Sequence, residues 1–103
     1  MTAATLVDYG DLPRGAQLLL AYSLYNDLDV IPLMKKDPDG KALVSGGWLE
    51  EKPCKILGVS NFEFSEPAFK RLMEISDHIL KSVSEEELEH YKDRKKATYP
   101  WLW

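Results

Sequence analysis

The stretch from Ser45 to Leu72 constrains the fold more than any other. Gly46-Gly47 stops what precedes it, Trp48-Leu49 leads into a β-hairpin that returns as Phe62-Glu63-Phe64, and Ser65-Glu66-Pro67 opens a helix. Each part has a local cause. Glycine enters left-handed backbone without steric cost, so a glycine pair ends a helix. Phe62-Glu63-Phe64 alternates apolar and polar as a half-buried strand does, and Ser60-Asn61 before it reads as the tight turn. Ser65 offers an oxygen to the free N–H groups of a first turn in which Pro67 needs no donor. Phe69, Leu72, Met73, Ser76, Ile79, Leu80 and Val83 then recur at three- and four-residue spacing opposite Lys70, Arg71, Glu74, Asp77 and Lys81, which predicts one amphipathic helix. Trp48, Phe62 and Phe64 are expected to pack against Phe69 and Leu72.

Residues 1–10 read as a loosely held arm or short strand. Asp11-Leu12-Pro13 is a helix-start signal, with Asp11 as the cap. Ala16, Leu19, Leu20, Ser23, Leu24 and Asp27 follow one face, and Leu18, Tyr22 and Tyr25 widen it, so this helix is central to the core or touches a second chain. It is expected to end near Asn26-Asp27. Val30–Met34 is β-branched and apolar, and Pro32 confines it to a sheet edge or a connector. Asp37-Pro38-Asp39-Gly40 leaves two readings open: the cap of a helix over 38–45, supported by the glycine stop, or a turn pairing Ile31–Met34 with Ala42–Ser45. Ser84-Glu85-Glu86-Glu87 is a capping box that restarts or continues a helix, anchored by Leu88 and Tyr91. Its acids lie at the start and Lys92, Arg94, Lys95 and Lys96 near the end, as the helix dipole favours. The tail, Tyr99-Pro100-Trp101-Leu102-Trp103, is too apolar to leave in water at small cost.

A chain of 103 residues with 45% apolar composition is large enough for one core. Its net charge of −4 opposes generic nucleic-acid binding, which depends on lysine and arginine. Cys54 stands alone, so no internal disulfide forms; with no signal-peptide pattern, a reducing, cytoplasmic location is expected. The longest apolar run, Leu18–Tyr22, is too short to span a bilayer, and no membrane partner is expected.

The succession of long helix, extended segment, short helix, Gly46-Gly47-Trp48-Leu49, hairpin and capped helix resembles the winged-helix arrangement over residues 12–82. Val44–Glu51 corresponds to the passage from a helix into the wing, and Phe62–Ser65 to the strand returning from it. A fainter similarity, to the small soluble domain of phage superinfection-exclusion proteins, covers only the turn into Trp48-Leu49 and the return into the last helix. The expected fold class is therefore α+β: a small winged-helix-like domain of three to four helices with a β-hairpin, residues 98–103 forming an aromatic tail. The resemblance implies contacts either with DNA or with another protein. The helix in the recognition position, 38–45, carries no Arg, Asn or Gln and offers only Lys41 and Ser45 to base edges.

No catalytic constellation emerges. Asp37-Pro38-Asp39-Gly40 looks like half a calcium loop, but Lys35 and Gly46 fall where the first and last ligands belong. Cys54 has only Lys52 and Lys55 beside it, and His78 and His90 are too isolated for a zinc set. No enzyme activity, metal or cofactor is expected. The leading expectation is a non-enzymatic protein–protein interaction module, an adaptor, regulator or inhibitor. It would bind a protein partner or a second copy of itself through Tyr22, Tyr25, Tyr99, Trp101 and Trp103. The alternative is a winged-helix DNA-binding transcriptional regulator using Lys35, Lys36, Lys41, Lys52 and Lys55.

Overall fold

The computed structural model describes residues 6–103; residues 1–5, half of the expected arm, lie outside the described residues. From Leu6 onward the segment is not loose. Val7 N–H donates to the Gly46 carbonyl at 3.0 Å, and the Trp48 indole N–H donates to the Val7 carbonyl at 2.8 Å. A 3₁₀ turn at Tyr9–Asp11 then leads into helix α1, Arg14–Tyr25. Pro13, not Asp11, occupies the cap position, and no side chain caps this helix. Gln17 ties down the approach instead, its amide donating to the carbonyls of Tyr9 at 2.8 Å and Leu12 at 3.2 Å. Leu18, Leu19, Leu20 and Ala21 are successively buried, so α1 is surrounded through its middle, as a central helix must be. It ends at Asn26, and Asp27 adopts left-handed backbone.

Strand β1, Val30–Met34, is an edge strand, where Pro32 is tolerated. Helix α2 spans Pro38–Ser45, which resolves the 38–45 ambiguity in favour of the helix. Asp37 caps it, accepting from the N–H groups of Asp39 and Gly40, and Gly47, at φ 83°, turns the chain away. Strands β2, Leu49–Pro53, and β3, Val59–Phe64, complete an antiparallel sheet in the order β1-β3-β2. Ser60 and Asn61 are not the turn. They lie inside the central strand, opposite Leu33 and Pro32 on one side and Pro53 and Lys52 on the other. The reversal falls at Cys54–Gly58, where Gly58 takes φ 79°. A buried serine is acceptable mid-strand because its hydroxyl donates to a Glu51 carboxylate oxygen at 2.7 Å.

The single helix expected from Glu66 to Val83 is broken at Ile75 into α3, Glu66–Glu74, and α4, Ser76–Ser82. Ala68, Leu72, Ile79 and Val83 are buried, and Ile75 packs against the same core. The adjacent row of Phe69, Met73 and Leu80, about 100° round the helix, faces outward. Phe69 is therefore not the core residue the pattern predicts, whereas Trp48 and Phe62 are fully enclosed. Val83 is extended, and Ser84 caps a fresh helix, α5, Glu85–Thr98. The described residues thus form an α+β fold of five α-helices and a three-stranded antiparallel sheet, more helices than expected. Among the described residues no helix is long and apolar enough to cross a membrane.

Candidate functional site

The densest arrangement of polar groups lies where α5 crosses the start of α2. One Asp37 carboxylate oxygen accepts the two capping N–H groups, and the other accepts from Lys95 Nζ at 2.6 Å. The same ammonium lies 2.8 Å from Asp39 Oδ2, which also accepts the Tyr91 hydroxyl at 2.8 Å. Asp37 is fully enclosed. Burial alone would push the Lys95 ammonium down, but its hydrogen bonds to Asp37 and Asp39 and their charges outweigh this and hold it above the ordinary lysine range. Burial lifts the Tyr91 phenol well above its ordinary range, and Asp39 adds to the effect. Gly15 on α1 makes room for this cluster, since a Cβ there would meet Asp39 Oδ1 at 2.2 Å.

Arg14 forms a second group nearby. It pairs with Glu87 and donates to the Ser82 carbonyl at 2.9 Å. Arg14, Glu87, Asp39, Tyr91 and Lys95 border an open cleft of about 520 Å³ that Arg94 and Tyr99 also line. The chemistry available there is modest. Lys95 is engaged by two carboxylates, Tyr91 is held in its neutral form, and no nucleophile meets a base. Asp37 and Asp39, the half calcium loop of the sequence, serve a helix cap and a lysine. No group of three or more potential metal ligands occurs among the described residues. Cys54 is half-buried in the β2–β3 loop, His78 stands edge-on to Tyr9 at 5.8 Å, and His90 is exposed, so the three do not assemble.

The five aromatic candidates divide. Trp103 folds back on its own domain, 4.7 Å from the Tyr22 ring and 6.1 Å from that of Tyr91, its indole N–H buried and without a hydrogen-bond partner among the described residues. Tyr99 stacks edge-on with Trp101 at 6.2 Å and lies 5.7 Å from Lys95 Nζ. Trp101, at 64% exposure, and Tyr25 face solvent. Of the lysine candidates, Lys35, Lys36, Lys52 and Lys55 gather at one end of the sheet, because Lys35 N–H donates to the Gly58 carbonyl at 2.8 Å. Lys41 is exposed on α2.

Sequence reasoning missed an apolar groove of about 210 Å³ between the end of α1 and α3. Leu24, Leu28, Phe64, Phe69 and Met73 line it, with Asp27 and Asp29 alongside. The available signal was surplus: two adjacent apolar rows on 66–83 exceed what one helix face can bury. No protein-family model, curated protein or solved structure matches this chain.

Proposed function

We propose that the protein is a non-enzymatic protein–protein interaction module of winged-helix-like architecture, acting in the cytoplasm as an adaptor, regulator or inhibitor. The order α1-β1-α2-β2-β3-α3 and the β1-β3-β2 sheet support the winged-helix likeness. One observation carries the binding assignment: Phe69 and Met73 stand 45% and 48% exposed, one turn apart, on the rim of the apolar α1–α3 groove. Exposed apolar side chains gathered at a concavity mark an interaction surface, and aromatic anchors supply most of the energy there. Asp27 and Asp29 beside the groove suit a partner whose apolar anchor is flanked by basic residues. Trp101 and Tyr25 are the accessible members of the aromatic set.

The test is a Phe69→Ser/Met73→Ser variant, whose fold is checked by thermal unfolding because both side chains are half exposed. Sedimentation velocity reads self-association, and in-cell cross-linking in the native host reads other partners. Loss of either association in the variant supports the reading. A wild-type chain that stays monomeric and shows the same cross-links as the variant refutes it. Trp101→Ser tests the tail without removing Trp103 from the core.

DNA readout suits this geometry less well. The N-terminal turn of a recognition helix meets base edges, whereas here that turn of α2 lies against α5, with Asp37 buried and Asp39 held by Tyr91 and Lys95. Anisotropy titration with random duplex DNA at low salt is the check; absence of binding there removes a phosphate-driven mode.

A further inference from the structure

Among the described residues no large apolar side chain is as exposed as Leu57, at 98%, and its neighbour Ile56 is 58% exposed. Both sit on the loop between β2 and β3. Neither side chain is needed for the reversal: Gly58 supplies the left-handed residue, and Val59 N–H donates to the Ile56 carbonyl at 3.1 Å, a backbone bond. The loop therefore holds Leu57 almost wholly in water and leaves more than half of Ile56 there.

Its surroundings are basic. Lys52 and Lys55 flank the loop along the chain, and the Lys35 N–H bond to Gly58 brings the Lys35-Lys36 turn beside it. Two acids are near. Glu50 lies 3.4 Å from Lys52, and Glu51 accepts the Ser60 hydroxyl. Among the described residues Lys35, Lys36 and Lys55 form no ion pair.

We infer that this hairpin tip docks the protein on an anionic lipid bilayer, Ile56 and Leu57 entering the headgroup–acyl boundary while the four lysines meet the lipid phosphates. Apolar insertion combined with electrostatic attraction is the physical basis of peripheral membrane attachment. Nucleic acid fits the tip less well. Single-stranded sites use aromatic faces for stacking and duplex sites use polar groups for base edges, and the outermost side chains here are aliphatic. The chain's net charge of −4 makes the attachment local, oriented by the basic end, reversible and sensitive to salt. The expectation of no membrane partner rested on the lack of a span, which a surface contact does not require.

Cys54, the sole cysteine, lies in the same loop and takes an environment-sensitive fluorophore. With phosphatidylcholine–phosphatidylserine vesicles at low salt, the expected result is a blue shift and quenching by brominated acyl chains. Both should be absent with phosphatidylcholine alone and lost on adding salt. Leu57→Asp should lower partitioning about tenfold or more, and Lys35→Glu/Lys55→Glu should weaken it comparably. Far-UV circular dichroism confirms that the variants fold, and flotation of the unlabelled chain repeats the measurement without the dye. No response to phosphatidylserine vesicles at low salt overturns the inference, as does a response that survives Leu57→Asp. So does stronger binding to duplex DNA that Leu57→Asp leaves unchanged, which would move the lysines to a nucleic-acid role.

Discussion

Replacing Lys95 with methionine keeps most of the side-chain volume and removes the charge that two carboxylates share. Asp37 has no solvent to turn to, being 0% exposed, and it loses an ammonium at 2.6 Å. Removing one partner of a buried ion pair costs about 3–5 kcal/mol, because the remaining charge stays desolvated. Two effects act around that figure. Asp37 keeps its bonds from the N–H groups of Asp39 and Gly40, which lowers the cost, while the Asp37 and Asp39 carboxylates lose the positive charge they shared, which raises it. Against a total stability of about 5–15 kcal/mol for a domain of this size, the loss lowers the thermal midpoint by roughly 15–30 °C. Urea titration and calorimetry at neutral pH measure it. Asn is a good helix cap and carries no charge, so D37N/K95M should recover at least about 1 kcal/mol relative to K95M. A K95M protein within about 1 kcal/mol of wild type, or a double variant no more stable than the single, refutes the buried-pair reasoning.

Gly15→Ala places a methyl group 2.2 Å from Asp39 Oδ1. It should destabilise by about 1–3 kcal/mol despite alanine's better helix propensity, and an unchanged or raised urea midpoint counts against the close approach. The Tyr91 phenol titrates far above its unfolded value near 10, so above that pH the unfolded chain releases a proton that the native state keeps. Stability therefore falls there by about 1.4 kcal/mol per pH unit. Lys95 acts with the same sign: its contribution is complete below its unfolded pKa and disappears as pH rises through the higher folded one. Tyr91→Phe should flatten the alkaline slope, and equal slopes would contradict the assignment. Ser65 Oγ both accepts from Ala68 N–H at 3.3 Å and donates to the Gly47 carbonyl at 2.8 Å. Among the described residues Ser84 Oγ makes one hydrogen bond, accepting from Glu87 N–H at 3.1 Å. Ser65→Ala should cost about 1–2 kcal/mol and more than Ser84→Ala; the reverse order of thermal midpoints would argue that the Gly47 bond contributes nothing.

The features legible in the sequence are those whose partners lie within a turn of helix or on the next strand. Ser65 caps as read, and Asp37 and Ser84 follow the capping one of their two readings, since each accepts from an N–H two or three residues ahead. Pro32 kept β1 out of the middle of the sheet, because a missing donor cannot be tolerated between two strands, which left an edge or a connector. Ser60-Asn61 misled because polar, turn-forming residues were judged without knowing that strands flank them on both sides, with Glu51 waiting across the ladder. Phe69 misled in the same way: periodicity finds an apolar face, but not which of two adjacent rows the core accepts.

The amino-acid sequence by itself determined the α+β class, the start of α3 and the glycine stop before Trp48, and it narrowed residues 30–34, 38–45 and the segment after Ser84 to two readings each. These follow from backbone sterics and from hydrogen bonds closed within a few residues. Only the tertiary structure decided that Lys95 reaches Asp37 across 58 residues, that Trp103 turns back onto Tyr22, and that Phe69, Met73, Ile56 and Leu57 are left facing outward. The reason is physical. A buried ion pair or an unburied apolar row is defined by what surrounds it, and those surroundings exist only once distant segments have packed and expelled water.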